Sequence, residues 1–144
     1  MTKCSEYLHN CLYFSANALA RNVGKMADEA FRETGLSPSY AFMVMLVNEQ
    51  PGITLKELAE HLHLAPSTLT RFTDKLVYKG IVERDHEGKT VRIYPTKKGK
   101  SLEKPIAAAW KRLYQNYSAV LGEQAGKDLT KTIYTSNQKL EDLT

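Results

Sequence analysis

The chain has 144 residues, 42% of them hydrophobic and 25% charged, with a formal net charge of +4. Those totals fit one compact globular domain. No apolar run approaches the ~20 residues of a membrane span, and the opening MTKCSEYLHN lacks the apolar core of a signal peptide, so the expectation is a cytoplasmic protein that stays off the membrane.

Residues 5–33 carry Tyr7, Leu8, Cys11, Leu12, Phe14, Leu19, Val23, Met26, Ala27, Ala30 and Phe31. This predicts one long helix that is apolar around much of its circumference, and such a helix must be buried on several sides. A small domain offers little to bury it against, so a second subunit is expected. Gly35 ends the helix. Ser37–Pro38 starts the next, with serine as cap and proline in the first turn. Residues 40–49, YAFMVMLVNE, then read as a nearly all-apolar central helix. A run this short also fits a buried strand, but the Ser–Pro start and the alanine and methionine content favour helix. Pro51–Gly52 turns the chain toward Thr54.

Thr54 caps a short helix, with Glu57 in the capping-box position. Leu55, Leu58, Ala59 and Leu62 form its apolar stripe. A second helix starts near Pro66, buries Leu69, Phe72 and Leu76 with Val77 at the margin, and stops before Gly80, where a left-handed cap wants glycine. Residues 81–84 and 91–94 read as paired strands around a charged tip at residues 85–90. The outward face of the second helix holds Ser67, Thr68, Thr70, Arg71, Lys75 and Tyr78. Short hydroxyls followed by an arginine suit a helix that offers its N-terminal end to base edges in a major groove. A merely solvated face would look the same; the charged hairpin beside it shifts the balance, because helix-turn-helix followed by hairpin is a winged helix. Charge agrees. Residues 54–112 hold 13 Lys+Arg against 7 Asp+Glu, whereas the segments before and after each net −1, so positive charge gathers where phosphates would be neutralised.

Thr96 is expected to cap a long helix running to about Leu121. Lys97, Lys98 and Lys100 crowd its positive end, and Pro105 should bend it or mark its effective start. Gly122 separates a last helix lined by Ala125, Leu129, Ile133, Leu140 and Leu143. The fold class is therefore mainly α with a small β-wing, a winged helix-turn-helix flanked by long N- and C-terminal helices.

The stretch ELAEHLHLAPSTLTRFTDKLVYKGIVER resembles the MarR family of bacterial transcription regulators, and YPTKKGKSL is similar to that family's exit from the wing. The resemblance extends over nearly the whole chain. In one place the chain departs from it: where the family carries an Asp-x-Arg element in a longer wing loop, Glu87–Gly88–Lys89 stands here. The resemblance implies a single domain over residues 1–144, with a winged-helix DNA-binding lobe at 35–98 and helical dimerisation arms at 1–34 and 99–144. It implies a homodimer on a palindromic double-stranded operator, with two reading helices about 34 Å apart, acting as a repressor released by a small aromatic effector. Ser67, Thr68, Thr70, Arg71 and Lys75 would meet DNA through the reading helix, and Arg84, Lys89 and Arg92 through the wing. Tyr13, Tyr40, Met43 and Trp110 are candidates for an effector pocket, although aromatics and methionines at helical spacing more often fill a core.

Other chemistry is sparse. On a continuous helix Cys4 and Cys11 would share a face about 10.5 Å apart, too far to bridge. Cys11, near Tyr13, marks an alternative in which thiol oxidation is the signal, as in peroxide-sensing relatives, but no cation lies close in sequence to activate it. His9, His61, His63 and His86 form no metal pattern. No nucleophile–base set and no phosphate-binding glycine loop appear, so no enzyme, metal or cofactor is expected. The remaining alternative is a winged helix that binds only protein.

Overall fold

The computed structural model describes residues 2–143. In chain order the elements are α1 (Lys3–His9), α2 (Leu12–Phe31), a 3-10 turn (Arg32–Thr34), α3 (Pro38–Glu49), β1 (Ile53–Thr54), α4 (Leu55–Leu62), α5 (Pro66–Tyr78), β2 (Val82–Glu87), β3 (Thr90–Pro95), α6 (Lys97–Ser101), α7 (Glu103–Leu121) and α8 (Glu123–Glu141). The mainly helical architecture with a small sheet is the one expected. The chain divides into a lobe, Asp28–Trp110, and a second unit, the arms, made of the segments up to Ala27 and from Lys111.

The lobe is built around α3. Its Ala41, Met43, Val44 and Val47 are buried, together with Phe31, Leu58, Leu69, Leu76, Ile93 and Ile106. Ser37 occupies the N-cap of α3, but its hydroxyl makes no capping bond. The local hydroxyl work falls to Thr34, whose Oγ1 donates to Phe31 O at 2.6 Å and accepts from Leu36 N at 3.1 Å. At α4 the expected cap forms: Glu57 N donates to Thr54 Oγ1 at 3.1 Å, and that hydroxyl donates to Glu57 Oε1 at 2.9 Å.

The sheet has the order β1-β3-β2, antiparallel throughout. β1 was not expected, since two residues carry no readable alternation; it exists because Ile53 and Thr54 pair with Ile93 and Arg92. The strands β2 and β3 also run further toward the tip than expected. They leave only Gly88 and Lys89 between them, with Glu87 facing Thr90. Gly88 has φ 62, and glycine at the first of two loop positions is what a II′ hairpin turn needs.

Two long helices expected from the sequence are interrupted. After α1, the Asn10 side-chain nitrogen donates to Glu6 O at 2.9 Å, a local bond that competes with helix continuation. Cys11 therefore lies between α1 and α2, and the two cysteines do not share one helix. After the wing, Thr96 caps α6 by accepting from Gly99 N at 3.1 Å, but α6 ends at Ser101 and α7 begins at Glu103. Pro105 causes this. It has no N–H to give, and its ring crowds the carbonyl four residues earlier, at Ser101.

Gly99 explains the glycine of the wing exit. A Cβ there would lie 2.2 Å from the Ile81 carbonyl oxygen, so only glycine lets α6 pass so close to the root of the hairpin. Asn48 of α3 fastens the same point, its Nδ2 donating to Gly99 O at 3.0 Å.

In the arms, Leu113 and Gly126 are the buried residues among those described, whereas Leu12, Tyr13, Val120 and Leu143 are mostly exposed. Tyr117 packs against Gly126, and burial raises the Tyr117 phenol pKa. No helix among the described residues is long and apolar enough to cross a membrane.

Candidate nucleic-acid interface

Helix α5 takes its start from Pro66 at the first helical position, where the missing N–H costs nothing. The chain reaches it through His63, which closes α4 in the left-handed region at φ 54. Leu69, Thr73 and Leu76 face inward. Thr73 is a buried hydroxyl that sequence reasoning left out, and it is satisfied by donating to Leu69 O at 2.7 Å. Outward stand Ser67, Thr70, Arg71, Lys75 and Tyr78, all exposed, with Thr68 half-buried at the edge. The Thr70 hydroxyl donates back to Pro66 O at 3.1 Å, which leaves its oxygen lone pairs facing out. Tyr78 is 92% exposed. Among the described residues no carboxylate lies within ion-pair distance of Arg71, Lys75 or Lys89.

The wing treats its cations differently. Arg84 on β2 hydrogen-bonds and ion-pairs with Asp74 of α5. Arg92 on β3 donates from Nε to Glu87 Oε2 and from a terminal nitrogen to Gly52 O, both at 2.9 Å. The bond with Glu87 holds the Arg92 guanidinium pKa above its ordinary value. Both arginines therefore brace the hairpin, Arg84 against α5 and Arg92 across to β2 and to the turn before β1. Lys89 stands exposed at the tip. Asp74 and Glu87 are the residues that sequence reasoning missed. Asp74 and Arg84 are ten positions apart on different elements, and no local signal links them.

The wing tip and the start of α5 share one opening. A cleft of about 640 Å³ is lined by Leu55, Lys56, Ala59, Leu64, Pro66 and Lys89, among others. Pro66 begins the reading helix and Lys89 tips the wing, so both elements meet whatever lies across this mouth. Of the three lysines that crowd the exit from the wing, Lys98 donates from Nζ to Lys79 O at 2.9 Å. It thereby neutralises carbonyl charge at the C-terminal end of α5, where a helix favours a cation.

Residues 36–88 match the family model described as MarR family. Over that segment the chain is similar to the MarR family. Over 125 residues the chain is 23% identical to the HTH-type transcriptional repressor MdtR of Bacillus subtilis (strain 168), covering 85% of this chain and 81% of that one. Among solved structures, the M. tuberculosis transcriptional regulator MosR in complex with DNA superposes with a TM-score of 0.79 at 24% identity, over 93% of this chain and 98% of that one. CouR from Rhodococcus jostii RHA1, bound to p-coumaroyl-CoA, gives a TM-score of 0.74 at 21% identity, over 88% and 91%. At these identities the solved structures establish the fold.

The four candidate pocket residues have different surroundings. Met43 fills the core at 0% exposure and has no surface to offer a ligand. Tyr40 packs on α5, its ring stacked on Phe72 with centroids 4.2 Å apart. Trp110 is half-exposed on α7, and Tyr13, in the arms, is 79% exposed. Cys11 is half-buried and Cys4 exposed, both as free thiols.

Proposed function

We propose that this chain is a MarR-type transcription regulator, a repressor that binds double-stranded DNA as a homodimer. The observation that carries the reading is α5: a helix with Ser67, Thr70 and Arg71 exposed, without a carboxylate to neutralise Arg71, beside a hairpin that ends in Lys89. Serine and threonine let the backbone approach base edges closely, and arginine suits the O6/N7 pair of guanine. Each lobe presents one such helix, enough for one half-site. A twofold dimer sets two of them about one duplex turn apart and so selects a palindrome. The exposed apolar residues of the arms support that dimer. They form a surface that stays in water unless a second copy covers it.

Release by a small molecule is the second half of the proposal. An effector acts by binding one dimer conformation better than another. The fold shared with CouR, solved with p-coumaroyl-CoA, supports an aromatic acid or its thioester as the class to screen.

The test is binding to duplexes selected from a random pool, at two salt concentrations. Arg71→Ala is expected to cost about 1–3 kcal/mol and to relax the preference at one position of the half-site. If affinity and salt dependence are unchanged in that variant, α5 is not the reading helix.

A further inference from the structure

On the flank of α5 away from the wing lies a smaller cavity of about 200 Å³. Leu36 and Leu76 form its apolar lining; Ser37, Tyr40, Lys75 and Lys79 supply its polar groups. Those groups are two ammonium ions and two hydroxyls. The lining contains no carboxylate, and among the described residues neither lysine has one within ion-pair reach. Lys75 and Lys79 are four residues apart, hence neighbours on the helix surface, where like charges repel. Lys75 is also held: its Nζ lies 5.2 Å from the centroid of the Tyr40 ring. That ring is itself fixed by the stack on Phe72.

This combination calls for an oxyanion. The cavity is smaller than the ~300–1,000 Å³ of small-molecule sites and leaves room for a tetrahedral phosphate. Successive residues on a helix are about 100° apart. Asp74 therefore faces the wing while Lys75 faces α3, on a different flank of α5.

We propose that the Ser37–Tyr40–Lys75–Lys79 cavity seats a backbone phosphodiester of the bound duplex. Lys75 and Lys79 neutralise it, and Tyr40 is a positioning residue that holds Lys75 in place. The assignment rests on the DNA-binding reading above. It moves Tyr40 from a candidate effector pocket to the DNA face and adds Lys79 and Ser37 to that face.

The experiment measures duplex affinity of the full chain between about 50 and about 200 mM salt. Lys75→Ala and Lys79→Ala should each lower the slope of log affinity against log salt by about 1, equally on selected and scrambled duplexes. Tyr40→Phe keeps the ring and should keep the slope. Tyr40→Leu should lower the slope in the wild-type background and add nothing to Lys75→Ala. Thermal unfolding of each variant identifies any loss due to misfolding, and Tyr40→Phe serves as the folded control. Wild-type binding with an unchanged slope in both lysine variants overturns the assignment and leaves the DNA reading standing. A wild-type chain that binds no duplex removes both. Inorganic phosphate at constant ionic strength is the second arm. Saturable binding that needs Lys75 and Lys79 but leaves duplex affinity unaltered would make the cavity a free-anion site and overturn the proposal.

Discussion

The lobe and the arms contain similar proportions of apolar residues but hold them differently. In the lobe, Phe31, Met43, Leu58, Leu69, Leu76 and Ile93 have essentially no contact with solvent. In the arms, Leu12, Tyr13 and Val120 are each more than 70% exposed, and Ile133 is 48% exposed. A lobe that encloses its own core is already complete as a folded unit. Arms patterned at helical spacing yet left in water are complete only against another surface. The contrast separates two jobs. One unit presents chemistry, and the other has a surface fit for assembly.

The sharpest way to break that contrast is to charge the arms. Burying a large apolar side chain contributes about 1.5–3 kcal/mol, and a homodimer carries each substitution twice, so Leu12→Glu combined with Ile133→Glu should cost the dimer up to about 6–12 kcal/mol. That is on the order of a 10⁴-fold weaker association or more, read by analytical ultracentrifugation, with helicity preserved in circular dichroism. An unchanged association constant would mean that these faces are not the interface.

Glycine substitutions test the same comparison at smaller scale. Gly99 in the lobe has the Ile81 carbonyl 2.2 Å from where a Cβ would stand, whereas Gly24 in α2 has nothing within 4 Å. Gly99→Ala should destabilise by about 1–3 kcal/mol in denaturant unfolding. Gly24→Ala should stabilise by roughly 0.5–1 kcal/mol, since alanine replaces glycine in a helix interior. If Gly24→Ala destabilises instead, α2 is packed tightly at that point in the assembled protein.

The smallest effect concerns charge within the wing. Arg84 is already neutralised by Asp74, so Arg84→Ala should leave the salt slope of duplex binding unchanged. Lys89, unpaired among the described residues, should lose about one unit of slope on conversion to alanine. Equal slopes for the two variants would show that the Asp74 pair opens on binding.

Much of this was readable beforehand, for an identifiable reason. Thr54 with Glu57, Pro66, Gly80 and the stripe of Leu69 and Leu76 are short-range signals, each acting within a turn of helix, and the elements formed where they point. The interruption at Asn10 was not foreseen, whereas Pro105 had marked a bend or an effective start in the helix after the wing. The first came from one side chain competing for a carbonyl, and the break at Leu102 from Pro105 acting backward by a turn. At the interface, exposure of the reading face followed from the apolar stripe opposite it. The engagement of Arg84 and Arg92 did not, because their partners Asp74, Glu87 and Gly52 reach them only after the hairpin has docked.

The order of residues alone determined the main helices, the two wing strands, and which side of α5 must face inward, since periodicity, caps and turn residues act over a few neighbours. Folding in three dimensions decided which cations are neutralised within the chain and which remain unpaired, because that depends on groups brought together from α3, α5 and the wing. It also decided that Tyr40 braces Lys75 and that position 99 must be glycine. Both follow from distances between elements, which no stretch of chain encodes by itself.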